Sequence, residues 1–590
     1  MEKDPFRVVW PVKPDSGPNV FPARDRRVPF KETPILLPTD VLLRHNARIL
    51  DPTTAAQPSF ARRRDDNAKL RRDPSARIAY EPTAYVANQI LISAMGRGTD
   101  LIRDLTRELN RELREERNFP NGWIRLRPPD RTDLDLTDRL VPSRSPAVIR
   151  LIIDYAPGPG EPTPPGDDPN EPPPTGDRPP LPDAWDVVQR LRDGWGGSAG
   201  EIGLNHLMFA SGLGGVGFTV GHSVGGIGFT VGHAIGVNEY AIPGMGGRAP
   251  VRWLARPPLR NEVPRRPVVA ILDTGVASGH TWFDAPDDDP IVLRYFYDPR
   301  SVSVREATTD AEGGETEPNL VDPLEGLIDP FFGHGTFIAG IVRQTCPDAR
   351  LLSIKLMDND GIVEEADLIN ALGFLHQRQA EARNTGTGAE LIDVVSLSLG
   401  YYHEATEAGV LYDTALSDAL KALGDQGILV VAAAGNNATT RPLLPAGFTP
   451  FRNGALPDGA TASLISVGAL NPDGGVSLFS NSGDWIAAYS PGAALVSTLP
   501  IVDAGQRSGV DLGDAPLSDR EVGSWRATID PDSFTGFGTW SGTSFAAPAA
   551  AGAAAQALLD LALTSHKGDP EAADVVHRVL SELGFFEQDE

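Results

Sequence analysis

From residue 267 onwards the chain repeats one pattern, a short apolar run followed by a helical period, and that alternation limits the folds open to it more than any other feature. The runs are "PVVAILD", "RLLSIKLMD", "IDVVSLSLG", "GILVVAAAGN" and "ASLISVGAL". Consecutive valine, isoleucine and leucine leave no polar face, so each run reads as a strand covered on both sides. Helical patterns at 335–344, 364–380 and 411–425 fall between them. The expectation is an α/β fold with a mainly parallel central sheet and helices on both faces, a three-layer arrangement. Ligands of such sheets gather beyond the carboxyl ends of the strands.

The N-terminal half reads differently. Residues 1–80 are rich in proline and arginine without sustained periodicity and are expected to form an extended or partly disordered arm. Over 81–210, "YVANQILISA" reads as a strand, 99–116 as an amphipathic helix with Leu101, Leu105, Leu109 and Leu113 on one stripe, and "WIRLR" and "AVIRLIID" as strands. A helix at "AWDVVQRLRDG" and a strand at "EIGLNHLMF" complete the order β-α-β-β-α-β, a ferredoxin-like α+β module. An insertion at 156–182, with 12 prolines in 27 residues, interrupts it as polyproline-type chain. Residues 211–264 carry an 11-residue duplication, "GGVGFTVGHSV" and "GGIGFTVGHAI", and then a linker. Two copies are too few to stack as a solenoid, and two histidines without thiol or carboxylate company make a poor metal site. A glycine-rich hairpin or docking strand is the expected form, and 265–590 is the largest domain.

Charge and composition narrow the partners. Seventy-nine acids against 53 lysines and arginines give a net charge of −26, which argues against nucleic acid or an anionic membrane. Residues 212–236 are uncharged, but ten glycines in that stretch make a poor spanning helix. Cys346 is the single cysteine, so no internal disulfide can form, and "MEKDPFRVVWPVKPDSG" has no apolar signal region. A cytoplasmic location is expected.

One stretch, "GTWSGTSFAAPAAAG" at 538–552, is uncharged and too apolar for a linker. Ala546–Ala557 reads as a buried helix that has only just begun at Pro548, which sets Ser544 at a helix N-terminus, where free N–H groups favour developing negative charge. Other polar residues close apolar elements: Asp273 ends "VVAILD", Asn436 follows "VVAAAG", and His334 enters the helical "GHGTFIAGIV". Singly, each could be a cap or turn residue.

Together these stretches resemble the subtilisin-like serine peptidases, the subtilase family. "ILDTGV", "GHGTFIAG", "AAAGN" and "SGTSFAAPAAAG" look like the family's aspartate, histidine, oxyanion-asparagine and serine motifs, in the family's order, and the resemblance covers roughly 265–565. It implies that Ser544 is the nucleophile, His334 its general base, Asp273 the acid that orients His334, and Asn436 an oxyanion donor together with the Ser544 backbone N–H. Asn437 is set aside because the family places the amide directly after the glycine. Ser398, Leu399 and Gly400, in "VSLSLG", resemble the strand that lines the substrate cleft. The implied activity is a serine endopeptidase acting on protein or peptide substrates with no cofactor for the chemistry, and structural calcium enters only as a possibility for the acidic stretches 284–289 and 306–329. By the same resemblance the N-terminal module is expected to be an intramolecular inhibitor or chaperone, like a propeptide, with Gly212–Gly236 adding to a substrate-binding strand edge. The alternatives are a catalytically silent binding scaffold and a partner-activated sensor. The chain departs from the family motif at Phe337 and Ile338. It also carries 60 residues between Asp273 and His334, of which 281–330, with 13 acids, are expected to form a solvated surface loop.

Overall fold

The computed structural model describes residues 39–50, 81–95, 97, 99–113, 124–127, 145–155, 181–195, 202–210, 248–252, 256–315, 318, 320–322, 327–387, 391–404, 414–457, 463–503, 533–561 and 572–585. Its centre is an eight-stranded sheet with the order Ala488–Pro491, Leu464–Leu470, Leu429–Ala433, Val394–Leu397, Val268–Asp273, Arg350–Lys355, Val292–Asp298 and Ser303–Glu306. Every neighbouring pair is parallel except the last. Alternate residues of one strand serve opposite layers: Val268, Ala270 and Leu272 join one apolar core, Val269 and Ile271 the other. That division is the reason no polar residue interrupts the run. Helices His334–Thr345 and Thr543–Asp560 belong to the second core, Glu365–Thr385 and Thr414–Asp425 mainly to the first.

Two strands lie where a surface loop was expected. Val292–Asp298 pairs with Arg350–Lys355 inside the central sheet, and Ser303–Glu306 forms its edge. The stretch "VLRYFYD" hides its strand character because Arg294 and the tyrosines break the apolar run, yet Val292 and Tyr297 are buried.

In the N-terminal half, strands Thr83–Ser93, Ile124–Arg127, Val148–Tyr155 and Ile202–Ala210 form an antiparallel sheet in the order Ile202–Ala210, Thr83–Ser93, Val148–Tyr155, Ile124–Arg127. Helices Thr99–Leu113 and Ala184–Trp195 pack on it. The buried stripe of the first helix is Ile102, Thr106, Leu109 and Leu113, with Leu105 partly buried against the core; of the expected leucines, Leu101 alone lies off it, at 58% exposed. Within the expected arm, Thr39–Arg44 is helical and Ala47–Leu50 pairs antiparallel with Thr83–Val86. The proline-rich insertion up to residue 180 and the duplicated segment lie outside the described residues.

This sheet packs against helix Glu365–Thr385, and one apolar core runs from Ile90 and Leu151 through Leu368 and Leu372. Polar contacts follow the same seam: the Val148 N–H donates to Asn370 Oδ1 at 3.1 Å, Arg150 pairs with Asp367 at 3.2 Å, and Asn205 donates to Glu364 at 2.8 Å.

Candidate active site

Asp273 ends its strand with the carboxylate inside the protein. Oδ1 accepts the Thr274 N–H at 2.8 Å and His334 Nδ1 at 2.7 Å. Donation from Nδ1 fixes the imidazole tautomer and leaves the lone pair on Nε2, which is buried without a hydrogen-bond partner. Phe331, Trp540 and Phe545 surround the ring, with centroids at 5.6, 5.6 and 5.3 Å. The two loops meet at backbone contact. A Cβ on Gly335 would stand 2.2 Å from the Gly275 carbonyl oxygen, so only glycine permits the approach.

Ser544 is the second residue of helix Thr543–Asp560 and is fully buried. The helix begins five residues before Pro548, earlier than the sequence reading placed it, and the proline is therefore interior. Proline has no N–H for the carbonyl four residues back, which is that of Ser544. The freed carbonyl accepts the Ser398 hydroxyl at 2.8 Å, and the Ser544 hydroxyl donates to the Ser398 carbonyl at 3.3 Å. Ser398 thus braces the serine from both sides, while His334 Nε2 has yet to gain a partner.

Asn436 follows Gly435, whose φ of 100° is left-handed and whose Cβ position would lie 2.5 Å from Asn481. Asn436 Oδ1 accepts both the N–H and the hydroxyl of Thr543, at 2.8 and 2.9 Å. Two donors on Oδ1 settle the amide orientation and leave Nδ2 available beside the Ser544 turn. Asn437 is used otherwise, accepting the Tyr402 hydroxyl at 3.0 Å. Asn481, which the sequence reading missed, accepts the Asn437 and Thr439 N–H groups and donates to the Ala434 carbonyl at 2.7 Å, holding this turn in shape.

Leu399 and Gly400 pair antiparallel with Ala210 and Phe209, and Ile362, Val363 and Glu364 pair with Phe209, Met208 and Leu207. Strand Ile202–Ala210 therefore runs between two strands of the larger domain. The segment expected at a strand edge, Gly212–Gly236, is outside the described residues, and the strand found there is the one that precedes it.

Among the described residues one group, His206, His403 and Glu404, has the spacing of metal ligands. Its side chains already close an ion-pair network. His206 Nδ1 donates to Glu365 at 2.7 Å and Nε2 to Glu404 at 2.9 Å, while Arg192 and the Tyr401 hydroxyl take the other carboxylate oxygens at 3.2 and 3.1 Å. His403 Nε2 lies 3.5 Å from the same Glu404 carboxylate, so His206, His403 and Arg192 all gather on this pair of buried carboxylates. In the acidic stretches considered for calcium, hydrogen bonds from Arg266 hold the Asp289 carboxyl at about 2, with Arg350 and Arg260 beside it, and Glu312 caps Thr308 and Thr309. Asp289 and Glu312, engaged in this way, are not free to join a calcium cage.

An aspartate-braced histidine and a helix-borne serine beside an amide are groups that serine-hydrolase chemistry draws on. The model described as "Subtilase family" matches residues 265–566, and the chain belongs to that family. It is 26% identical to the thermophilic serine proteinase of Bacillus sp. (strain AK1) over 39% of this chain and 45% of that one. To the intracellular serine protease of Paenibacillus polymyxa it is 28% identical, over 42% and 64% of the two chains. With the thermitase of Thermoactinomyces vulgaris the identity is 25%, over 46% and 83%. The first two relatives are thus spanned over less than two thirds of their length. Among the described residues, no helix is long and apolar enough to cross a membrane.

Proposed function

We propose that the protein is a serine endopeptidase whose triad is Asp273, His334 and Ser544, and that its ferredoxin-like N-terminal module is an intramolecular inhibitor. His334 Nε2 takes the Ser544 proton as Oγ attacks the scissile carbonyl, and Asp273 stabilises the imidazolium that forms. The oxyanion meets Asn436 Nδ2 and the Ser544 N–H. His334 returns the proton to the leaving amine, and water repeats the sequence to release the acyl group. A cytoplasmic location accords with the lone, buried Cys346 and with a relative named as intracellular.

What carries the inhibitory part is strand Ile202–Ala210, seated between Ile362–Glu364 and Leu399–Gly400. An extended peptide bound by main-chain pairing on both edges occupies the place a substrate strand would take. Met208 and Phe209 are buried there, so the double change Met208→Arg and Phe209→Arg forces two charges into an apolar seam. The full-length variant is expected to react with a fluorophosphonate probe at Ser544 at least ~10-fold faster than wild type, a shift of only about 1.4 kcal/mol in docking. Equal labelling rates would remove the inhibitory role, and absence of Ser544 labelling in both would remove the peptidase.

Docking should also depend on pH. Burial would push the His206 imidazole down, but the carboxylates of Glu365 and Glu404 outweigh it and hold the group up at about 10. A raised histidine contributes stability fully below its free value of about 6.5 and loses it as pH climbs towards 10. Glu404 is held well below its usual range, burial opposing and His403, His206 and Arg192 prevailing, so acid does not open the seam until far lower pH. In a Ser544→Ala background, stability to denaturant is expected to fall between pH 6.5 and 10 by up to about 1.4 kcal/mol per unit. His206→Gln should flatten that slope, and an unchanged slope would exclude His206 as its source.

A further inference from the structure

Glu315 lies in the acidic insertion between the aspartate and histidine motifs, yet its side chain is buried. Its Oε1 accepts the Gly333 N–H at 2.9 Å and the Thr274 hydroxyl. Its Oε2 accepts the Thr336 N–H at 3.1 Å and the Thr336 hydroxyl. Four donors converge on one carboxylate, and they come from both motif loops: Thr274 follows Asp273, while Gly333 and Thr336 flank His334. The donors extend the bracing further. Thr274 Oγ1 also lies 3.2 Å from Asp273 Oδ1 and accepts the Gly335 N–H at 2.9 Å, and Thr336 Oγ1 accepts the Ala277 N–H at 2.8 Å.

We propose that Glu315 is a positioning residue for the reaction, locking the Asp273 and His334 loops into one unit so that His334 Nε2 is held on the line of Ser544. This rests on the triad assigned above. Burying a carboxylate is costly unless its lone pairs are filled, and here all the bonds received are from donors that suit the ionised form. Gly333 is the N-cap and Thr336 lies in the first turn of helix His334–Thr345, where unpaired N–H groups and the dipole favour a negative charge. Burial, first, and the neighbouring Asp273 charge push the Glu315 carboxyl up, and the hydroxyls of Thr274 and Thr336 counter them. Because Gly335 and Gly275 already touch at backbone distance, the two loops have no slack of their own, and a third segment that clamps both sets their relative position.

Glu315→Gln keeps the shape but replaces one acceptor oxygen by an NH2 group that must face either the Gly333 and Thr274 donors or the pair on Thr336. A misplacement on the order of 1 Å costs roughly 10²-fold in rate. The full-length variant is therefore expected to lose ~10- to 100-fold in kcat, counted per site titrated by the fluorophosphonate, with KM changed less than about twofold. Thr274→Val, which leaves Glu315 in place and removes the hydroxyl between it and Asp273, should lose kcat in the same direction. The double variant should be no worse than the weaker single one, since the two act through one link. Wild-type kcat per active site in Glu315→Gln, with only the melting temperature lowered, would make Glu315 a structural brace and overturn the inference. If Glu315→Gln does not fold, wild-type kcat in Thr274→Val overturns it instead. The underlying triad is judged separately: probe labelling of wild type but not of Ser544→Ala upholds it whatever Glu315 does, and an unlabelled wild type would sink both.

Discussion

Ser544→Ala is expected to abolish peptide-bond hydrolysis while the protein melts almost where the wild type does. In the proposed triad the Ser544 hydroxyl is the nucleophile, and the loss known for such a serine in a subtilisin, on the order of 10⁶ in turnover, sets the expected size. The structural cost is small because the change removes a single oxygen from a small side chain, whose bond to the Ser398 carbonyl is long, at 3.3 Å. A bond of that kind contributes about 1 kcal/mol or less. Ser398 keeps its own bond to the Ser544 carbonyl, so the helix start remains braced. Hydrolysis of a casein-type substrate and a thermal melt on the same sample check both halves. Wild-type turnover in this variant would refute the triad, and a collapsed melt would mean that the hydroxyl is part of the core.

The second large effect is at Asn436. Asn436→Ala should lower kcat by about 10²- to 10³-fold, the size known for an oxyanion asparagine in a subtilisin, with a smaller change in KM. The reason is differential binding: Nδ2 finds its full partner only when the carbonyl oxygen becomes an oxyanion, so the bond strengthens between ground state and transition state. Part of the measured loss could be structural, since Asn436 Oδ1 holds Thr543 by two bonds. Asn436→Asp separates the two contributions. It keeps an acceptor for Thr543 but sets a negative oxygen where the donor stood, and it should be at least as inactive as the alanine variant. A defect confined to KM in either variant would place Asn436 outside the oxyanion site.

The candidate site residues stand out in the sequence because each sits within a few residues of the glycines and apolar runs that shape its turn. "ILDTG", "GHGT", "AAAGN" and "SGTS" each hold a functional group and its backbone geometry within one short stretch, and the strand alternation shows where the strands end. The ion pair of Asp273 with His334 and the bonds joining Asn436 and Ser398 to the serine turn then follow from those ends lying side by side.

Other features were hidden by sequence distance or by sameness. Glu315 is one of 13 acids in an insertion that reads as solvated, and no local signal separates it from its neighbours. Asn481 shapes a turn some forty residues before it, and the Ile202–Ala210 strand completes its pairing with residues 362–364 and 399–400. The sequence by itself determined the apolar strands of the central sheet, their alternation with helices and the small set of polar residues at their ends, because those depend on side-chain period and local backbone freedom. Only the tertiary structure decided which carboxylate is buried, which carbonyl Pro548 releases to Ser398, and which strand pairs with residues 362–364 and 399–400, because burial and hydrogen-bond partners are properties of whatever distant chain is packed against a residue.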